Sequence, residues 1–182
     1  MPGKNGIPSS TEVLNPWSDF SMINPAVLAH ACQRGTNVHN AIAADLQGLW
    51  VLPLTDEEQG YFDSWRRWAD LMIDKPVLIE KEIVCDCYGY MGHPDFVGYL
   101  KEDSRLAVID WKTPIAEMKS WKGQAASYSH LAEHATGEKV ERIGSVRLAA
   151  TGAIARMTDY SDRMAEYFAA FLGALTAHKY FA

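Results

Sequence analysis

Apolar positions along the chain follow two rhythms, and the change between them falls near residue 76. Before it, apolar residues recur at helical spacing. Asn24-Pro25 supplies an N-cap with proline at the first helical position, and the run AVLAHACQRGTNVHNAIAADLQG predicts a helix ending at Gly48. Gly35 sits inside that helix, where glycine costs roughly 1 kcal/mol relative to alanine and asks for a packing or functional reason. A second helix is predicted over TDEEQGYFDSWRRWADLMID. Thr55 and Glu58 form a capping box, Tyr61, Trp65 and Trp68 recur at helical spacing, and Lys75-Pro76 closes the element. The first ~20 residues, rich in Pro, Gly, Ser and Asn, read as a loosely structured arm with one helical turn at SSTEVL.

After residue 76 the pattern turns β-branched. VLIEKEIVCDCYGYMGHPDFVGYL predicts two antiparallel strands broken at YGYMG, and RLAVIDWKT predicts a third, central strand. A helix follows across AEMKSWKGQAASYSHLAEHA and ends near Gly137. ERIGSVRLAATGAIARMTDY then reads as a hairpin turning at Thr151-Gly152, and SDRMAEYFAAFLGALTAHKYF as an amphipathic C-terminal helix. This order predicts an α/β fold, a central mixed β-sheet of about five strands flanked by helices, without internal repeats. The organisation expected is an N-terminal arm, 1–22, and a single domain, 23–182.

Composition narrows the function. A chain of 182 residues, 48% hydrophobic, has material for one ordinary core. A formal charge of −6 argues against a protein that coats nucleic acid by overall positive charge, while leaving room for a local basic groove. Cys32, Cys85 and Cys87 are an odd number without C-x-x-C spacing, so neither a disulfide framework nor a four-cysteine metal site follows, and reduced thiols are expected. With no signal segment and no apolar run of roughly 18 residues, the expectation is a soluble, cytoplasmic protein.

The chemistry concentrates where strands end. Asp95 heads one strand and Asp110 and Lys112 close the next. Residues two apart in a strand share a face, so Asp110 and Lys112 project together and Trp111 projects oppositely. If the two strands are neighbours, Asp95 and Asp110 converge. A close carboxylate pair holds a metal, shares a proton or pairs with a base, and a lysine beside it suits phosphodiester hydrolysis. Taken alone, however, D-x-K is also an ordinary salt bridge at a strand end.

The motifs GHPDFVG, VIDWKT and QAASY occur in an order and spacing that resembles the PD-(D/E)XK nuclease superfamily, in its RecB-like exonuclease branch. There, G-x-x-D, D-x-K and Q-x-x-x-Y follow one another as Gly92 to Asp95, Asp110 to Lys112 and Gln124 to Tyr128 do here. RGTNVH resembles that branch's upstream R-G-T-x-x-H element, and the D-W-K version of the motif is similar to phage-encoded exonucleases and the mitochondrial genome maintenance exonuclease. The resemblance spans residues 34–128.

It implies a restriction-endonuclease-like core with Asp95, Asp110 and Lys112 catalytic. The metal, Mg²⁺ or Mn²⁺, would be held by His39, Asp95, Asp110 and the Trp111 backbone carbonyl, with Glu80 a further candidate. Glu82 lies on the same face in IEKEIV and competes with Glu80 for that place. Arg34, Thr36, Gln124 and Tyr128 would contact DNA, and Lys119 and Lys122 are candidates for a basic rim, although surface lysines are common. The Tyr61, Trp65 and Trp68 stripe fits core packing, with stacking on unpaired bases the sharper alternative. Trp17 and Phe20 could cover the site or pack on the sheet.

The implied activity is hydrolysis of DNA from its ends, preferably single-stranded, in phage or bacterial recombination, repair or genome processing. A homo-oligomer and a recombination partner protein are both compatible with it. Two rivals remain: a structure- or sequence-specific endonuclease on the same core, and an inactive DNA-binding or assembly subunit. The intact Asp95, Asp110 and Lys112 set argues against the second.

Overall fold

The computed structural model describes residues 3–4, 6–18, 22–114 and 116–181. Five helices are named in chain order: α1 (Ser10–Leu14), α2 (Pro25–Leu46), α3 (Asp56–Met72), α4 (Ser120–Thr136) and α5 (Met164–Phe181). The strands are β1 (Ile73–Ile79), β2 (Ile83–Cys85), β3 (Tyr90–Gly92), β4 (Phe96–Leu100), β5 (Leu106–Lys112), β6 (Val140–Arg147) and β7 (Arg156–Asp159).

Helix starts follow the predicted chemistry. Asn24 Oδ1 accepts the Ala26 N–H at 2.9 Å, with Pro25 at the first position of α2. The Thr55–Glu58 capping box opens α3, and a second box, Ser9–Glu12, opens α1. Gly137, with φ of 73°, closes α4 in the left-handed conformation that glycine adopts without penalty.

Five strands form a mixed sheet in the order β1-β4-β5-β6-β7. Only the β5–β6 pair is parallel, and α4 is the crossover that joins them. β5 is central, and its alternation sorts two cores. Leu106 and Val108 face a cluster with Val13, Leu131 and Phe171, from α1, α4 and α5. Ala107, Ile109 and Trp111 face a cluster with Val38, Ile42, Trp65 and Trp68, from α2 and α3. The result is three layers, helices on both faces of one sheet.

Three expectations need correction. The second helix stops at Met72, and Lys75-Pro76 lies inside β1. A proline and the residue before it favour extended backbone, and β1 is an edge strand that can spare one N–H. The stretch after β1 also holds a separate two-stranded hairpin, β2–β3. Finally, the N-terminal segment is not loose throughout, because α1 buries Val13 and Leu14 against the α4 and α5 side of the core. No helix among the described residues is long and apolar enough to cross a membrane.

Candidate active site

The register of β4 on β5 builds the centre of the site. Phe96 pairs with Ile109, so one step further along the antiparallel ladder Asp95 stands opposite Asp110. Both carboxylates are buried, 5% and 3% exposed. Asp95 Oδ2 accepts the Trp111 backbone N–H at 2.6 Å, which fixes it across the strand gap. Asp110 and Lys112 share the α4 side of β5 and form an ion pair, while Trp111 packs on the opposite side against Trp65 and Trp68.

Two further groups reach this point from other elements. His39, on α2, lies with Nδ1 3.2 Å from Asp95 Oδ1 and 3.8 Å from Glu80 Oε1. Glu80 follows β1 directly, and its φ of 47° puts a non-glycine residue in the left-handed region. That turn sends Glu80 toward His39 and leaves Glu82 elsewhere, ion-paired with Lys4 and 3.5 Å from His93 Nε2. The expected shared face of Glu80 and Glu82 therefore does not exist, because the strand ends at Ile79.

From α4, Gln124 Oε1 accepts the Lys112 ammonium at 2.8 Å, and Gln124 Nε2 donates to the Tyr128 hydroxyl at 3.0 Å. Glycine is needed at 92 for this helix to approach: an added Cβ would lie 2.6 Å from Tyr128 Cε1 and 2.8 Å from Leu131 Cδ1. Gly35 carries no such requirement, since a Cβ there would meet Thr113 Oγ1 at an ordinary 3.5 Å.

These groups line a cleft of about 600 Å³, together with Arg34, Thr36 and the apolar residues Ile23, Leu28 and Met118. Arg34 is committed to Glu57 at 2.7 Å and stacks over Tyr61, although its Nε is buried without a hydrogen bond. Thr36 Oγ1 donates to the Cys32 carbonyl. Lys119 and Lys122 do not line the cleft. Lys122 instead pairs with Glu117 and lies over Tyr160 and Tyr167.

Tyr61, Trp65 and Trp68 are core residues, 6%, 1% and 4% exposed, so their rings are not offered to bases. Trp17 is 56% exposed, and Phe20 lies outside the described residues. Two supporting residues had been missed. Trp121 carries Lys112 over its ring at 5.5 Å, and it precedes Gln124 by three residues, a spacing that shares a helix face. Thr11 accepts from Gln124 Nε2 at 3.4 Å, a contact with no local signal because α1 is remote in sequence.

The electrostatics show an excess of negative charge. Burial pushes the Asp110 carboxyl up, Lys112 opposes it, Asp95 adds to it, and the outcome is about 6. Burial alone would depress His39, but Asp95, Glu80 and Asp110 outweigh it and hold the imidazole up at about 10. The cluster thus draws protons, as buried carboxylates do when nothing else neutralises them. Burial and the charges of Asp110 and Asp95 also push the Tyr128 phenol up, keeping it protonated.

No protein-family model matches the chain, and no curated protein matches it. Among solved structures it is similar to the crystal structure of a candidate exonuclease from Eubacterium rectale. The identity is 11% and the TM-score 0.46, covering 92% of this chain and 73% of the other.

Proposed function

We propose that the chain is a Mg²⁺- or Mn²⁺-dependent deoxyribonuclease that hydrolyses phosphodiester bonds from DNA ends. The observation that carries this reading is the convergence of Asp95, Asp110 and Lys112 with His39 and Glu80 on the floor of one cleft. The residues that resemble the motifs of the RecB-like branch are among those same residues.

The donors present suit a hard divalent ion. One atom each of His39, Glu80 and Asp95 lies within 4.8 Å of the others. Asp110 Oδ2 is buried, with the Lys112 ammonium as its partner. Carboxylate oxygens with an imidazole are a set that Mg²⁺ and Mn²⁺ accept. His39, Glu80, Asp95, Asp110 and the Trp111 carbonyl would hold the ion, which when bound supplies Lewis acidity toward the phosphate and favours an activated water.

The chain's own residues do the rest. Lys112, held between Asp110 and Gln124, presents its ammonium where charge grows on the phosphate or where the nucleophile must be oriented. Gln124 fixes that ammonium, and Tyr128 fixes Gln124. The Trp111 N–H keeps Asp95 from turning away. Arg34 and Thr36 line the same cleft and, in this reading, meet the substrate backbone.

End-labelled linear single- and double-stranded DNA and closed circular DNA, incubated with Mg²⁺, Mn²⁺ or EDTA, test this. Expected is metal-dependent loss of linear DNA alone, falling about 10²–10³-fold in Lys112→Ala, the cost typical of losing one transition-state donor. Cutting of circles would move the reading to an endonuclease. DNA binding without cleavage of any substrate would favour an inactive binding subunit.

A further inference from the structure

A second cluster of ligand-bearing side chains lies outside the cleft, on the β2–β3 hairpin. Its turn is tight: the Gly89 N–H donates to the Cys85 carbonyl at 2.7 Å, and Gly89 has φ of 63°. That turn brings the Cys85 and Cys87 sulfurs to 2.9 Å from one another, well beyond the ~2.05 Å of a disulfide bond. From α4, His130 Nε2 stands 3.9 Å from Cys87 Sγ, and one donor atom from each of the three residues lies within 4.8 Å of the others. The imidazole is fixed by its neighbours, stacked on Phe168 at 4.9 Å and met edge-on by Tyr88 at 5.2 Å. Two sulfurs and one aimed ring nitrogen therefore converge on one point, with Cys85 buried beneath it and Cys87 exposed above.

We infer that Cys85, Cys87 and His130 bind a soft divalent cation, zinc by preference, in a site separate from the cleft. Tetrahedral zinc with bonds of about 2.3 Å to sulfur and 2.0 Å to nitrogen sets sulfur–sulfur spacing near 3.8 Å and sulfur–nitrogen spacing near 3.6 Å. Toward Cys87 the nitrogen needs only a few tenths of an ångström. The sulfurs must part by about 0.9 Å, which the exposed Cys87 side chain can supply by rotation. Both thiols release their protons to solvent on binding, and water takes the fourth position on the exposed side. Sulfur donors discriminate against Mg²⁺ and Mn²⁺, so this site and the oxygen-rich cleft sort their ions by chemistry.

The cation acts as a clip. Tyr90, on the same hairpin, donates to the Ser127 carbonyl of α4 at 2.9 Å, and Gly92 packs beneath Tyr128. A cation held by His130 and both cysteines would tie the hairpin to the helix that presents Gln124.

The test titrates the reduced, chelator-treated full chain with Cd²⁺, following the thiolate-to-cadmium charge-transfer band, and then displaces the Cd²⁺ with Zn²⁺. Expected is one equivalent in the wild type and in Cys32→Ser, and loss of the band in Cys87→Ser. His130→Gln should weaken binding by more than the roughly 10–100-fold that losing an outer-shell partner costs. Zinc should raise the Tm of the wild type more than that of Cys87→Ser, which is altered at an exposed side chain and keeps the His39, Glu80 and Asp95 donors of the cleft. No band, a band that survives Cys87→Ser, or affinity indifferent to His130→Gln would overturn the site. Thiol titration of unreduced protein that finds Cys85 and Cys87 joined as a disulfide would overturn it equally.

Discussion

Removing the charge of Asp110 should stabilise the metal-free protein. Asp110 is 3% exposed, and its carboxyl is displaced from an ordinary 3.8 to about 6 by burial and by Asp95, against the pull of Lys112. A carboxyl raised in the folded state contributes stability that is fully present below the unfolded value and is lost as pH rises through the folded one. For Asp110 that window runs from about pH 4 to above pH 6. At about 1.4 kcal/mol per pH unit, ionised Asp110 costs the fold about 3 kcal/mol at pH 8. Asparagine keeps the shape of the protonated acid, and Lys112 keeps Gln124 and the Trp121 ring as partners. Asp110→Asn in EDTA should therefore gain up to about 3 kcal/mol at pH 8, roughly 6–12 °C in Tm for a chain of this size, and the gain should fade toward pH 4. Urea or thermal unfolding followed by circular dichroism measures it. Adding Mn²⁺ should stabilise the wild type and reverse the order of the two proteins. If Asp110→Asn is no more stable than wild type at pH 8 in EDTA, the Lys112 ion pair outweighs the burial of the carboxylate and the charge argument fails.

Two other perturbations follow from packing and from a separate ion cluster. Gly92→Ala drives a Cβ to 2.6 Å from Tyr128 and should cost about 1–3 kcal/mol, whereas Gly35→Ala meets only Thr113 at 3.5 Å and should gain up to ~1 kcal/mol of helix propensity, both read from urea midpoints. Asp103 accepts from Arg105 at 2.9 Å and from Arg142 at 2.6 Å, which hold its carboxyl well below the usual carboxylate range. A depressed carboxyl adds stability above its unfolded value that is lost as pH falls through the folded one. Asp103→Asn should thus cost about 2 kcal/mol at pH 7 and progressively less below pH 4, and an acid titration of stability that runs parallel for both proteins would contradict it.

Much of the fold is local information. The caps at Asn24, Thr55 and Gly137 act through side chains and backbone within a few residues, so they read directly from the sequence. β5 is legible for another reason: a central strand buried on both faces is an apolar run that few other environments accept. β1 is not, because this edge strand is exposed along most of its length and so shows no alternation, and its Lys75-Pro76 looks like a helix stop. The contribution of α1 is equally hidden, since five residues with one capping box say nothing of the core they enter.

The site divides along the same line, and one part of the division was available from periodicity. Asp95, Asp110 and Lys112 are legible together because antiparallel register carries sequence order into space. Lys122 lies two residues before Gln124, about 200° round the helix, so it cannot share the face that Gln124 turns to the cleft. Trp121, three residues before Gln124, had to share its face and does. The consequence reaches the chemistry. Among the described residues lining the cleft, the lysine and arginine are Lys112 and Arg34, and both are already paired with carboxylates. Asp110 is offset by Lys112, which leaves Glu80 and Asp95 against the single His39 imidazolium, one negative charge in excess. A polyanion entering such a cleft meets net negative charge, so in the proposed reaction a divalent cation is required to admit the phosphate as well as to activate it.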